Sequence, residues 1–313
     1  MDPGTCCFVM ATRDHPLLLV DAYDGSVRAS YTAIADGDVT TAPHSTTFSP
    51  SGTHIYGGMD GKIAIFDISI QGANPISYLS TTPTRKSNQG QKGILSHLST
   101  SPIHPSLVLA GSYSKSFAIY DTTCNESVAL INGIPGTGVT QVEFGVDGNS
   151  IHVASRKSGT IQTFDARKLG SGVAVLEMER DGFTNQRISF SQSADGRVLV
   201  SGDRMGNVCV FDLMDGGKLL TKTSVSGETV GAAAVHPYYC PSSTPIVGSE
   251  GMEVDGESTK MSYWIGSCSG QRREIRVRGN YCSSDSDSDS EEEDIERKDT
   301  GVSAEINMYH FVH

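Results

Sequence analysis

An all-β chain arranged as a ring of small sheets, a β-propeller, is what the 313-residue sequence predicts. Three observations carry that prediction. A unit recurs with a period of roughly 50 residues, the spacing of propeller blades. Its strands are short and apolar on both faces, as in Ile63, Ala64, Ile65 and Phe66, which suits a sheet covered on each side. The composition is rich in turn formers, with 34 glycines and 12 prolines against 19% charged residues, which fits a turn-rich β protein better than a helical bundle.

The unit reads as a small-residue strand, a glycine-containing turn, then an apolar strand closed by an aspartate. LLLVD ends at Asp21, GGMDGKIAIFD at Asp67 and GSYSKSFAIYD at Asp121. ASRKSGTIQTFD ends at Asp165 and SGDRMGNVCVFD at Asp212, so successive aspartates stand 46, 54, 44 and 47 residues apart. A second signal precedes each copy, an apolar strand running into a turn: HSTTFSPSG at 44–52, LSTSPIHPS at 98–106, VTQVEFGVDG at 139–148, RISFSQSADG at 187–196 and AAAVHP at 232–237. Gly, Pro and Asp supply the reversals between strands, the aspartates by hydrogen bonding to turn backbone.

The pattern resembles the WD40 family, whose unit is a four-stranded blade. Aspartate stands where the WD dipeptide would, but Val20, Phe66, Tyr120, Phe164 and Phe211 replace the tryptophan. No GH dipeptide precedes the blades, so the family's His–Asp brace is not expected in its usual form; His44 is the expected substitute. About six repeats are visible. The first begins at its second strand, with 6–13. The last is split, with one strand near 230–235, a Ser/Pro/Gly/Glu-rich loop at 238–261 and the next strand near 263–267. The expected organisation is a propeller over 1–279, an acidic Ser/Asp/Glu-rich disordered segment over 280–304, and a closing strand of the last blade over 305–313. A ring must close to hide its sheet edges, so the first repeat, lacking its inner strand, is read as the sign of an incomplete gene model or fragment; the alternative is that another segment completes the ring.

Charge is unevenly spread. Residues 280–313 hold ten acids and two bases, leaving the first 279 residues at a net charge of −4 of the chain's −12. Bulk charge therefore does not advertise nucleic-acid binding, although a local basic patch remains compatible with it. In the acidic run, Ser284, Ser286, Ser288 and Ser290 each have an acid three residues later. They are candidate phosphorylation sites, each worth about −1.5 to −2 charges; the alternative is a solvated spacer. Seven cysteines, with no CxxC and no Cys/His pair at zinc spacing, read as small buried hydrophobes of a reducing compartment, cytosol or nucleus. No apolar run reaches the ~20 residues of a bilayer-spanning helix, and the first residues carry no signal-peptide pattern.

No P-loop, HExxH, GxSxG or GxGxxG after a strand is present, and nothing pairs a nucleophile with a base. The expectation is a protein without catalytic residues, metal, cofactor or small-molecule substrate. The basic residues instead cluster at turns. Tyr113 and Lys115 share one, Arg156 and Lys157 the next, Arg204 the third, and Arg187 with Asn185 and Gln186 opens the fifth repeat. Arg85, Lys86 and Lys92 lie on the loop before the third repeat. Equivalent turns line one face of a ring, so these are the candidate contacts should the chain bind RNA, the cations to phosphates and Tyr113 to a base. The alternative is a set of solvent-facing turns, with 184–188 (TNQRI) bracing the blades.

Several stretches also look like the telomerase Cajal body protein family: DAYDGSVRASYTA at 21–33, HSTTFSPSGTHIYGGMDGKIAIF at 44–66, QGQKGILSHLSTSPIHPSLVLAGSYSKSFAIYD at 89–121, FGVDGNSIHVASRKSGTIQTFDARKLG at 144–170 and TNQRISFSQSADGRVLVSGDRMGNVCVFD at 184–212. The resemblance runs from about residue 2 to 273, without the family's N-terminal region and first blade. It implies a non-catalytic scaffold that recognises a single-stranded loop element in small nuclear guide RNAs, and in telomerase RNA where present, and directs them with their ribonucleoprotein partners to the nuclear Cajal body. The alternative is a WD40 protein–protein scaffold with no direct RNA contact.

Overall fold

The computed structural model describes residues 6–33, 41–72, 74–84, 87, 89–236, 240–241, 261–270 and 305–312. The acidic serines 284, 286, 288 and 290 lie outside them, as do Arg85 and Lys86.

Six antiparallel sheets follow one another along the chain, the meander arrangement of a WD40-type β-propeller. The first has three strands, Cys7–Met10, Leu17–Asp21 and Val27–Tyr31. The next four have four each: Ser45–Phe48 to Ser77–Ser80, Leu95–Thr100 to Glu126–Asn132, Val139–Phe144 to Leu176–Gly182, and Phe190–Gln192 to Lys218–Ser224. In the sixth, Val230–Val235 pairs with Met261–Ser269, which also pairs with Cys240–Pro241 and with Glu305–Val312.

The repeating aspartate has one local job. Asp21, Asp67, Asp121, Asp165 and Asp212 each accept, through Oδ1, the amide two residues on. This Asx turn ends the last strand but one of each sheet and starts the reversal toward the last.

Apolar residues on both faces of the inner strands then pack sheet on sheet. Leu17, Tyr31, Ile55 and Phe66 join the first two sheets, and Leu109, Phe117, Val142 and Ile151 the third and fourth. Small residues ending the second strands permit that approach. A Cβ on Gly202 would stand 2.1 Å from the Val230 carbonyl oxygen of the next sheet. This is why the repeat carries GG, GS, AS and SG before its turn.

Two expectations change. His44 is exposed, and among the described residues no hydrogen bond involves its ring. The buried brace of the third sheet is instead Gln91, whose Nε2 donates to Ala110 O at 2.9 Å while its Oε1 accepts from Tyr120 Oη at 3.0 Å. Tyrosine and glutamine, both hydrogen-bonding and both apolar along their stems, fill the bracing role. The cysteines are not uniformly buried: Cys209 is, but Cys6, Cys124 and Cys268 are exposed. Cys124 stands in a strand-to-strand turn, where no neighbouring sheet covers it.

Candidate nucleic-acid interface

In each sheet the innermost strand begins on the face that also carries the turn between the second and third strands. That topology gathers the predicted basic residues on one face. Tyr113 and Lys115 form the turn between Leu107–Ser112 and Ser116–Asp121. Arg156 and Lys157 form the one between Ser150–Ser155 and Ser158–Asp165. Arg187 lies on the connection leading to Phe190–Gln192.

Three of these side chains converge. The Arg156 guanidinium carbon sits 4.4 Å from the centre of the Tyr113 ring, and its Nη2 donates to Tyr113 Oη at 3.1 Å. Arg187 Nη2 donates to Ser96 O at 3.1 Å. That carbonyl is available because the innermost strand bulges at Ser96: Leu95 pairs with Ser112, but the next pair is His97 with Gly111. Burial lowers the Arg187 pKa from its ordinary value, the Tyr113 hydroxyl opposes this, and the like charge of Arg156 adds to it. Burial, with Arg187 nearby, likewise drives His97 down to about 4, so its ring is neutral at physiological pH. Arg156 Nε is buried without a hydrogen-bond partner. The cluster is a cationic, partly desolvated group at the head of the innermost strands, with an unused N–H donor.

Lys115 and Lys157 extend the cluster outward. Both are exposed, and neither has an ion-pair partner among the described residues. Both also adopt left-handed backbone, at φ 62 and 50. Gly61 and Gly206 close the corresponding turns of the second and fifth sheets, at φ 69 and 84. A side chain in this region costs on the order of 1 kcal/mol.

Arg204 reaches the same face but is neutralised there. Its Nη2 lies 3.0 Å from Asp181 Oδ2, and its amide donates to Asp181 O at 2.8 Å. The fully buried Asp203 of the same turn pairs at 2.9 Å with Lys222 of the strand Lys218–Ser224. The charges of this turn are therefore matched by residues outside it.

TNQRI does brace the ring. Gln186 Nε2 donates to Gly270 O of the sixth sheet at 3.2 Å, while Arg187 spans back to the third. Asn185, beside Gln186, stays exposed.

Sequence reasoning missed Phe183. It is 61% exposed on the connection that precedes Arg187, and its ring lies so close over Gly159 that a Cβ there would meet it at 3.2 Å. A large aromatic within DGFTNQR, polar on both sides, was the available signal. Cys209, by contrast, is buried, and burial pushes its thiol up to about 11. Among the described residues no group of three or more His, Cys, Asp or Glu stands together to hold a metal.

No protein-family model matches the chain. Among individual proteins, it is 34% identical over 210 residues to telomerase Cajal body protein 1 of Homo sapiens, covering 67% of this chain and 37% of that protein. It is 32% identical over 219 residues to the Drosophila melanogaster homologue, covering 68% and 38%. A Schizosaccharomyces pombe protein named guanine nucleotide-binding protein negative regulator 1 is 30% identical over 207 residues, covering 64% and 51%. The match thus spans less than two fifths of the length of the animal relatives.

Proposed function

Since two thirds of this chain is homologous to the telomerase Cajal body proteins, we propose that it is a non-catalytic, RNA-binding WD40 propeller of that kind. In this reading it takes small nuclear guide RNAs, and telomerase RNA where present, at the face carrying Tyr113, Lys115, Arg156, Lys157 and Arg187. It directs them, with their ribonucleoprotein proteins, to the nuclear Cajal body. The observation that carries the reading is the pair of unneutralised lysines held in left-handed backbone beside the Tyr113–Arg156 stack. Lysine and arginine there contact phosphates, and Tyr113 and Phe183 offer ring surface to unstacked bases. Arg204 belongs to the same face as a structural residue, since its charge is already matched.

The fission-yeast relative bears a different name, which favours a second reading: a protein-interaction scaffold without RNA contact.

Crosslinking and sequencing of RNA bound in the protein's own cells separates the two. Enrichment of small nuclear guide RNAs sharing one loop element, lost on Lys115→Gln with Arg156→Gln and Lys157→Gln, supports the first. Recovery of protein partners that survive nuclease, with no RNA above background, sinks it.

A further inference from the structure

On the opposite face of the ring, a groove of about 530 Å³ opens between the fourth and fifth sheets. Its volume is within the range that holds a small ligand or one or two side chains. Its walls are the first-to-second strand turns, with Asp147 and Asp195, and the third-to-fourth connections, with Asp165 and Arg167. Arg167 is already spent on Asp165, at 3.0 Å, so the lining keeps an excess of two carboxylates. Asp147 takes all its hydrogen bonds on Oδ1, from the Asn149 and Ser150 amides and Ser150 Oγ. Its Oδ2 makes no bond among the described residues. The rim is apolar and wet: Val146, Val175 and Met214 are 46%, 59% and 65% exposed.

A buried histidine borders the same space. His152 lines the groove and is only 1% exposed. Its Nδ1 bonds Thr163 Oγ1 at 2.9 Å, while its Nε2 is buried with no partner. A buried polar atom left open in this way costs free energy unless something fills it.

We propose that this groove docks a short basic–apolar segment of a partner protein. A lysine or arginine side chain meets Asp147 and the acidic wall, and its apolar neighbours cover Val146, Val175 and Met214, above the buried His152 ring. Charge selects this occupant: excess carboxylate repels nucleic-acid phosphate and attracts a cation. The proposal is independent of the RNA reading, because the two sites occupy opposite faces.

The test uses the full chain and a fluorescent hexapeptide of alternating leucine and arginine, with glycine–arginine and leucine–glutamate versions as controls. The leucine–arginine peptide should bind saturably, more weakly as salt rises. Binding should fall about tenfold or more in Val146→Arg and Met214→Arg, whose side chains are exposed and whose melting temperatures should stay unchanged. Lys115→Gln and Lys157→Gln should leave it intact. Nitrogen-15 resonances of the His152 imidazole should shift on peptide addition. Equal binding of the glycine–arginine peptide, unchanged binding by the groove variants, or unmoved His152 resonances would each overturn the proposal. So would self-association of the chain that blocks the groove, since the occupant would then be a second copy.

Discussion

The Gln141 side chain takes both backbone groups of Phe190. Its Nε2 donates to Phe190 O at 2.9 Å and its Oε1 accepts from Phe190 N at 2.9 Å. One amide thus stands in for a strand neighbour between the innermost strands of the fourth and fifth sheets. Related bonds run around the ring, from Ser45 Oγ to Leu95 O and from Ser96 Oγ to Val139 O. Gln141→Leu leaves a buried N–H and a buried C=O unpaired, so it should cost roughly 2–4 kcal/mol. Urea denaturation of the variant against the parent measures it, and a loss under a few tenths of a kcal/mol would mean that another group replaces the amide.

Lys157 carries backbone strain that glycine would relieve. Lys157→Gly should therefore leave stability unchanged or raise it by up to ~1 kcal/mol, while RNA affinity falls and its salt slope shallows by about one unit. Titrations across a salt series, beside melting curves, read both effects. Loss of stability without loss of affinity would make the lysine structural.

Phe183 has most of its surface in water. Phe183→Ala should weaken RNA binding by about 1–3 kcal/mol if a base stacks on it and leave the melting temperature nearly unmoved. Unchanged affinity removes it from the interface.

His152 gives the fold an acid limit. Burial lowers its pKa from 6.5 to about 4. Above pH 6.5 the ring is neutral in both folded and unfolded states, and its contribution is fully present. Between about 6.5 and 4 the unfolded chain binds a proton that the folded chain does not, so stability falls as pH falls, by a few kcal/mol at most. Below about 4 both states are protonated and this loss stops. The hydrogen-bonded Asp147, Asp195 and Asp203, held below the ordinary value despite burial, add their own loss below pH 3.8. Denaturation midpoints from pH 7 to 4 should slope in the parent and slope about half as steeply in His152→Phe, where His97, also lowered to about 4, keeps its own share.

The face of the candidate site was legible, because equivalent turns of a repeat must fall on one side of a ring. Lys115, Arg156 and Lys157 are there for that reason. The state of each charge was not. Arg204 looks like its neighbours in the repeat, yet Asp181 cancels it from 23 residues away. Arg187 looks like a phosphate ligand, yet it also holds Ser96, 91 residues distant. Phe183 carries no periodic signal at all.

By itself the sequence determined the blades: strand, turn, strand, and an aspartate that bonds an amide two residues on. Those interactions are local, so each is written within a few consecutive residues and repeats as often as the unit does. Only the tertiary structure decided the braces and the chemistry between blades. Gln141 finding Phe190 and Asp181 neutralising Arg204 join residues of different blades, and Gln91 ties a connecting loop to Ala110 and Tyr120 of its sheet. Their partners are set by how neighbouring sheets meet around the axis, a geometry no run of consecutive residues encodes.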